Sequence, residues 1–589
     1  MSVNASTLLV DILHRWGVDT IFGLPGDGIN GVMEAIRQHP KTLRFVQVRH
    51  EESAAFMACA YAKLTGKLGC CLATSGPGGI HLLNGLYDAK ADRAPVLALT
   101  GMPYHDLIDT FTQQDVDHCK VFSDVAVYSA RVMSAAHIEN VANLACRLAL
   151  ARRGVAHLAL PTDVQEQTVE DSPRSMRNVE GHGSHAMGEA RRIPSSDAIE
   201  RAARLLNDAK RVTILAGAGA LHATEPLLKV ADRLGAPIVK ALLGKAVIDD
   251  RNELSAGGIG LLGTRPSQEA MDTCDALLIV GSTFPYIEYY PQPGQARTIQ
   301  IDIDPANIGL RAPAEVAVVG DASAALELLE GKLARKADRS FLTRIQQRAR
   351  EWRELMQQVD EAGEFPLKPG RVAREFGRRL PSNAIVAWDS GHNTGLCARY
   401  VEAQEGQVFF GSGMMASMAC AIPYAIAAAI AQPDRPVFAF VGDGGLSMQL
   451  GELVTIARYR LPIKIIVVKN NTLGQIKWEQ MMFLGYPEYE CALEPIDFAK
   501  VAEAMGIRAF RVESAEQCSE VFDAAMSGRA AALIEAPIDP NEPLLPPKHF
   551  PKYVANLRKA LDEDTPGHEE IEQALGKEPA RTLWQGMQH

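Results

Sequence analysis

The sequence has no Cys-x-x-Cys pair among its ten cysteines, so it lacks the spacing common to structural zinc sites and thiol oxidoreductases. Cys70 and Cys71 are adjacent within an apolar run, and buried thiols in a reducing compartment are expected rather than disulfides. There is no basic excess either. Lys and Arg number 60 against 71 Asp and Glu, a formal net charge of −11, and a nucleic-acid partner is not expected. Met1 to Val10 lack the basic region and small-residue cleavage site of a secretory leader, which leads to the expectation of a cytoplasmic protein. The one long apolar stretch, Met414 to Ala431, is rich in alanine rather than Leu, Ile and Phe. It holds Ser417 and Pro423 and stops at Gln432-Pro433-Asp434-Arg435, so it reads as a buried helix and not as a membrane span. No short-period repeat is present.

What the chain does have is length and alternation. Its 589 residues suffice for about three or four ordinary domains. Three blocks alternate apolar strands with helical patterns, the signature of α/β architecture with doubly wound parallel sheets. The expected units are residues 1–185, 193–340 and 361–545, with a tail over 546–589. Glu170 to Arg192 reads as a linker, and Arg344 to Asp360 as a charged helical connector. Glycine clusters follow apolar runs or sit in turns, where doubly wound domains bind ligands.

The sharpest local signal is Gly442-Asp443-Gly444 after the strand Pro436 to Val441, paired with Lys469-Asn470-Asn471 after Ile463 to Val468. Read alone, Gly-Asp-Gly is a tight turn. The spacing adds to this, because Asn470 is the twenty-sixth residue after Gly444. A divalent ion holding a diphosphate needs hard oxygen ligands with positions left open, and glycines let backbone N–H groups approach phosphate. Together the two motifs resemble the diphosphate and metal site of the thiamine diphosphate enzymes. The resemblance implies thiamine diphosphate and Mg2+, with the metal on Asp443, Asn470 and the main-chain carbonyl of Thr472. Lys469 replaces the first residue of the usual Asn-Asn pair.

Further motifs fall in the family's order. Arg49-His50-Glu51-Glu52 precedes a helix expected to begin near Ala54, and read alone it is a helix-capping acid. The resemblance makes Glu51 the carboxyl that hydrogen-bonds the aminopyrimidine, in a partly dry pocket of the kind that favours the protonated form. Ser75 to Gly85 resembles a turn of the pyruvate oxidase branch, with Gly76 at the cofactor and His81 either structural or catalytic. Asp109 to Gln114 resembles, in lengthened form, a Phe-Gln-Glu site, which makes Phe111, Gln113 and Gln114 catalytic candidates with the register open. Gly26, Gly391, His392, Asn393, Gly413, Met415 and Gly445 are cofactor-binding candidates, as are Gly442 and Gly444. Met418 matches the apolar wedge that bends the cofactor.

The central block carries Gly217-Ala218-Gly219, Gly260-Leu261-Leu262-Gly263-Thr264, Gly281-Ser282-Thr283-Phe284, Asp302-Ile303-Asp304 and Asp321. These resemble the FAD domain of pyruvate oxidases, above all the quinone-linked bacterial members. The glycine turns suit phosphates, and the acidic side chains suit ribose or adenine. The implied reaction is oxidative decarboxylation of pyruvate to acetate and carbon dioxide, with electrons passing through FAD to quinone. The implied assembly is a homodimer or homotetramer whose sites form across subunits. Two features depart from that pattern. Gln475 stands where the oxidases carry an aromatic residue, and the tail segment Glu569 to Leu575 has an acidic polar face ill suited to anionic lipid. The tail therefore leaves two readings open, weak peripheral contact at the inner membrane face or a solvated or subunit-packing segment. Two other functions stay open, a carboligase of the acetohydroxyacid synthase type with non-redox FAD and a non-catalytic protein on the same fold. The particular 2-oxo acid is open as well.

Overall fold

In the computed structural model, residues 3–588 are described apart from 180, 182, 188–190, 362, 549 and 564. Part of the expected linker thus lies outside the described residues. Three parallel six-stranded sheets frame the molecule. In the first, β1 (Thr20–Gly23), β2 (Arg44–Gln47), β3 (Gly69–Ala73), β4 (Val96–Met102), β5 (Ala126–Arg131) and β6 (Val155–Pro161) lie in the order β2-β1-β3-β4-β6-β5. The second holds β7 (Val212–Ala216), β8 (Ile238–Lys240), β9 (Ser255–Gly258), β10 (Ala276–Val280), β11 (Arg297–Asp302) and β12 (Val316–Val319), ordered β12-β11-β10-β7-β8-β9. The third holds β13 (Ile385–Trp388), β14 (Val408–Phe410), β15 (Val437–Gly442), β16 (Ile463–Lys469), β17 (Arg508–Arg511) and β18 (Ala532–Pro537), ordered β14-β13-β15-β16-β18-β17. Central strands such as β3, β4 and β6 are buried at every position, as strands covered on both faces must be. The α/β doubly wound architecture expected from the alternation is present.

Two local expectations are corrected. The helix expected near Ala54 runs Glu51–Thr65, because the His50 side chain accepts the Glu52 N–H at 3.2 Å and starts it earlier. Of Met414 to Ala431, only Ala421–Ala431 is helical. The preceding loop gives its N–H groups to carboxylates instead. Gly413 and Met414 donate to Asp92 at 2.9 and 2.8 Å, and Ala419 and Cys420 donate to Asp389 at 3.1 and 3.2 Å. Asp92 is itself held by Lys63 at 2.6 Å. The Ala421–Ala431 helix is buried against the Glu51–Thr65 helix, in a core to which the first and third sheets both contribute. No helix among the described residues is long and apolar enough to cross a membrane.

The tail folds back on the chain as the helices Pro551–Asp562, His568–Leu575 and Ala580–Gln588. Ile571 and Leu575 are buried in the core that also holds Trp352 and Phe376.

Candidate functional site

A cavity of about 580 Å3 opens where two sheets present their strand carboxyl ends. In the third sheet, β13 and β15 are neighbours across the point where strand order reverses. The turns after them, Ser390 to Thr394 and Gly442 to Gly445, line the cavity together with Asn470 and Thr472 after β16. In the second sheet the reversal lies between β7 and β10, and Gly217, Ala218 and Gly281 to Tyr286 line the other end. Ligands of open α/β sheets bind at such reversals.

At one end Asp443 is buried. Its carboxylate accepts the N–H groups of Gly444 at 3.1 Å and Asn471 at 2.6 Å, and burial raises its pKa above the ordinary carboxylate range. No ion pair involves Asp443 among the described residues, and Lys469, whose charge is felt there, bonds Glu535 at 2.9 Å. A buried carboxylate without a paired cation suits a divalent ion. Asn470 Oδ1 accepts the Thr472 N–H at 3.2 Å, and the Thr472 carbonyl accepts from Gly474 at 2.8 Å, leaving that carbonyl a second lone pair. Asn471 adopts a left-handed φ of 52°, which turns its N–H toward Asp443.

The surrounding wall is shaped for close approach. A Cβ on Gly445 would lie 2.1 Å from Asp389 Oδ2, and one on Gly413 would lie 2.3 Å from a Leu243 methyl. Asp389 lies behind the turns and is fully buried, which pushes its carboxyl up to about 7. Burial pulls the His392 imidazole down to about 4, and its Nδ1 is buried without a partner. Met418 reaches toward Gly444 on the wall.

Of the flavin candidates, Gly217, Leu262, Gly281, Thr283 and Phe284 line the cavity. Gly260, with φ 92°, packs against Phe284, while Gly219 and Gly263 pack against the Gly281 and Gly258 backbones. Thr264 caps a helix by accepting from Ser267. Asp302, Asp304 and Asp321 do not line the cavity. They accept the N–H groups of Asp304, Ala306 and Ala324, and Asp321 also pairs with Arg191 at 2.9 Å. Gln475 lines the wall and donates to Glu479 at 2.9 Å. Met415 is outside the lining.

The first-block candidates form a separate cluster. Glu51 is 6% exposed and its Oε2 lies 2.9 Å from His81 Nδ1, with His50 stacked on His81 at 4.5 Å. Gly76, at φ 59°, abuts Gln114, whose side chain bonds Ser75 Oγ. Gly26 abuts Thr74. Asp115 accepts the N–H groups of Asp109, Thr110 and Phe111 at 3.0 to 3.2 Å. That turn leaves Phe111 fully exposed, with φ 62°, and Gln113 exposed. Neither Glu51 nor His81 lines the cavity in the same chain. Many lining or supporting residues escaped the sequence reading, among them Asp389, Glu479 and Tyr553. Asp389 lies two residues before the candidate Gly391, Glu479 lies one helical turn beyond Gln475, and Tyr553 comes from the tail with no local signal.

Sequence profiles of three parts of one family match this chain. They are the N-terminal TPP binding domain of thiamine pyrophosphate enzymes over residues 3–121, the central domain over 199–329 and the C-terminal TPP binding domain over 389–536. The chain belongs to the thiamine pyrophosphate enzyme family. It is 37% identical to YdaP of Bacillus subtilis, described as thiamine pyrophosphate-containing, over 92% of this chain and 93% of that protein. It is 32% identical to a pyruvate oxidase of Lactiplantibacillus plantarum, over 92% and 90% respectively. An acetolactate synthase large subunit of Parasynechococcus marenigrum is 29% identical, over 93% and 90%.

Proposed function

We propose that the chain carries out thiamine diphosphate- and FAD-dependent oxidative decarboxylation of pyruvate, or a related 2-oxo acid, to acetate and carbon dioxide, with electrons passed to quinone. The observation that carries this reading is the single cavity joining Asp443 and Asn470 to the glycine turns of the second sheet. Thiamine diphosphate supplies carbanion-stabilising chemistry and FAD a two-electron acceptor. Asp443, Asn470 and the Thr472 carbonyl would hold Mg2+, with Gly442 to Gly445 giving the diphosphate room. Met418 would set the cofactor's bend. Glu51, oriented by His81, would hold and move the proton at the aminopyrimidine nitrogen. Because Glu51 is outside its own chain's cavity, it would serve the cavity of a second protomer in a homodimer or in a tetramer of such dimers. Tyr286, 54% exposed, and Ile476 edge the opposite wall, where an apolar acceptor would approach from the cytoplasm or the inner membrane face.

The likeness to acetolactate synthase, and Gln475 in place of an aromatic side chain, favour a second reading, a carboligase whose FAD stays oxidised. Anaerobic mixing of holoenzyme with pyruvate separates the two. Loss of the oxidised flavin absorbance with acetate formed is the expected outcome. Unchanged flavin with acetolactate formed overturns the oxidase reading.

A further inference from the structure

Beside β9 lies a second, smaller cavity of about 60 Å3 with three arginines in its lining. Arg374 is bonded to Asp360, with both contacts at 2.9 Å. Arg399 is 8% exposed and forms no ion pair among the described residues. Its Nη2 donates to the Leu261 carbonyl at 3.2 Å, its guanidinium lies over the Trp352 ring, and its buried Nε donates to nothing. Arg353, half-buried on the wall, forms no ion pair among the described residues. Ser255 Oγ is also buried without a partner. Two carboxylates share the wall. Asp250 is taken by Lys240 at 2.6 Å, Lys245 at 3.2 Å and the Ala403 N–H at 2.7 Å, while half-buried Glu402 is the other.

A buried cation is costly unless paired, and buried donors in native proteins are rarely left unmatched unless a water or an ion meets them. We propose that this cavity binds one small oxyanion, a carboxylate or a phosphate, held by Arg399 Nε and Ser255 Oγ with Arg353 alongside. A guanidinium and a hydroxyl are separate, directional donors, which suits an anion with more than one oxygen over a halide. The three residues come from β9, from the Ser340–Gln357 helix and from the last turn of the His392–Tyr400 helix. The first residues of that last helix line the large cavity. An anion here therefore ties the central unit to the helix that forms the cofactor wall.

The test uses holoenzyme with its cofactor sites filled, titrated with sodium acetate, sodium phosphate or sodium chloride at matched ionic strength while Tm is followed. Acetate or phosphate is expected to raise Tm saturably and chloride not to. Arg399→Met and Ser255→Ala are expected to weaken the response at least about tenfold. Crystals soaked in the effective anion should show it against Arg399. If Arg399→Met does not fold, Ser255→Ala and Arg353→Gln carry the same measurement. Equal responses to the three salts, unchanged midpoints in the variants, or water alone in the soaked cavity overturns the proposal.

Discussion

Lys469 stands where the family resemblance leads one to expect the first asparagine of a pair, and its side chain turns away from Asp443. Its Nζ donates to Glu535 at 2.9 Å and to the Ile496 carbonyl at 2.6 Å. Consecutive residues leave an extended chain on opposite sides, so Lys469 at the end of β16 points into a neighbouring layer while Asn470 lines the cavity. Glu535 is 2% exposed, and Arg511 at 3.3 Å is its only other ion-pair partner among the described residues. Lys469→Met should therefore cost roughly 3 kcal/mol by leaving a buried carboxylate under-paired, and Lys469→Met/Glu535→Leu should recover most of it. Urea denaturation of the wild type, the two single variants and the double variant measures this, and a single variant as stable as the wild type contradicts the pairing. That Asp443 and Asn470 would share one cavity was legible from the sequence because their spacing is a local signal. Asp389 was not legible as an organiser, because it works by accepting N–H groups from Ala419 and Cys420, some thirty residues away.

The strands Pro436 to Val441 and Ile463 to Val468 were legible to within one residue of β15 and β16, since apolar runs flanked by glycine show a buried strand whatever surrounds it. The segment from Met414 to Cys420 was misread as helix because its N–H groups go to carboxylates on distant segments, a choice that hydropathy does not carry. Burial, working against the lowering effect of the Ala419 and Cys420 N–H groups on Asp389, makes the unit of β13, its turn and the His392–Tyr400 helix sensitive to pH. Burial moves the Asp389 carboxyl from 3.8 to about 7 and the His392 imidazole from 6.5 to about 4. Between pH 4 and 6.5 the native state holds a proton on Asp389 that the unfolded chain has lost, so this stabilisation is lost as pH rises toward 7. Over the same range the unfolded chain holds a proton on His392 that the native state lacks, so stability from this group rises with pH. The two slopes oppose one another. Asp389→Asn removes only the first, so between pH 4.5 and 6 its stability should climb relative to wild type by up to about 1.4 kcal/mol per pH unit. Denaturation of cofactor-free protein at several pH values reads the difference in slope, and parallel curves would contradict the assignment. Asp389→Asn should also be less stable in absolute terms, because an amide nitrogen cannot accept the N–H groups that Oδ1 and Oδ2 now accept.

At the scale of the whole molecule, the sequence carried the order of the motifs but not where the chain brings them together. The central turns and the Asp443 turn converge on one cavity because two sheets happen to point their strand reversals at each other. The tail's contribution through Tyr553 depends on a fold-back with no local signature. The first-block cluster behaves differently. Glu51 is buried beside His81, yet it is absent from the cavity that holds Asp443 and Asn470. On the proposed assignment, each cavity of a two-fold dimer would draw Glu51 from one protomer and Asp443 and Asn470 from the other, and such an interface repeats every contact twice. This arrangement predicts complementation between two inactive proteins. On the proposed assignment, Glu51→Gln would lack the proton-moving group and Asp443→Asn the metal-holding carboxylate. When they are co-refolded at equal concentration, random pairing makes about half the dimers mixed, each with one site carrying both lesions and one carrying neither. Activity should rise from near zero in each parent to about a quarter of wild type. Native mass spectrometry establishes that mixed dimers have formed. Activity that stays at the parental level once mixed dimers are present would mean that the site closes within one chain, with Glu51 reaching Asp443 by a movement of the first block.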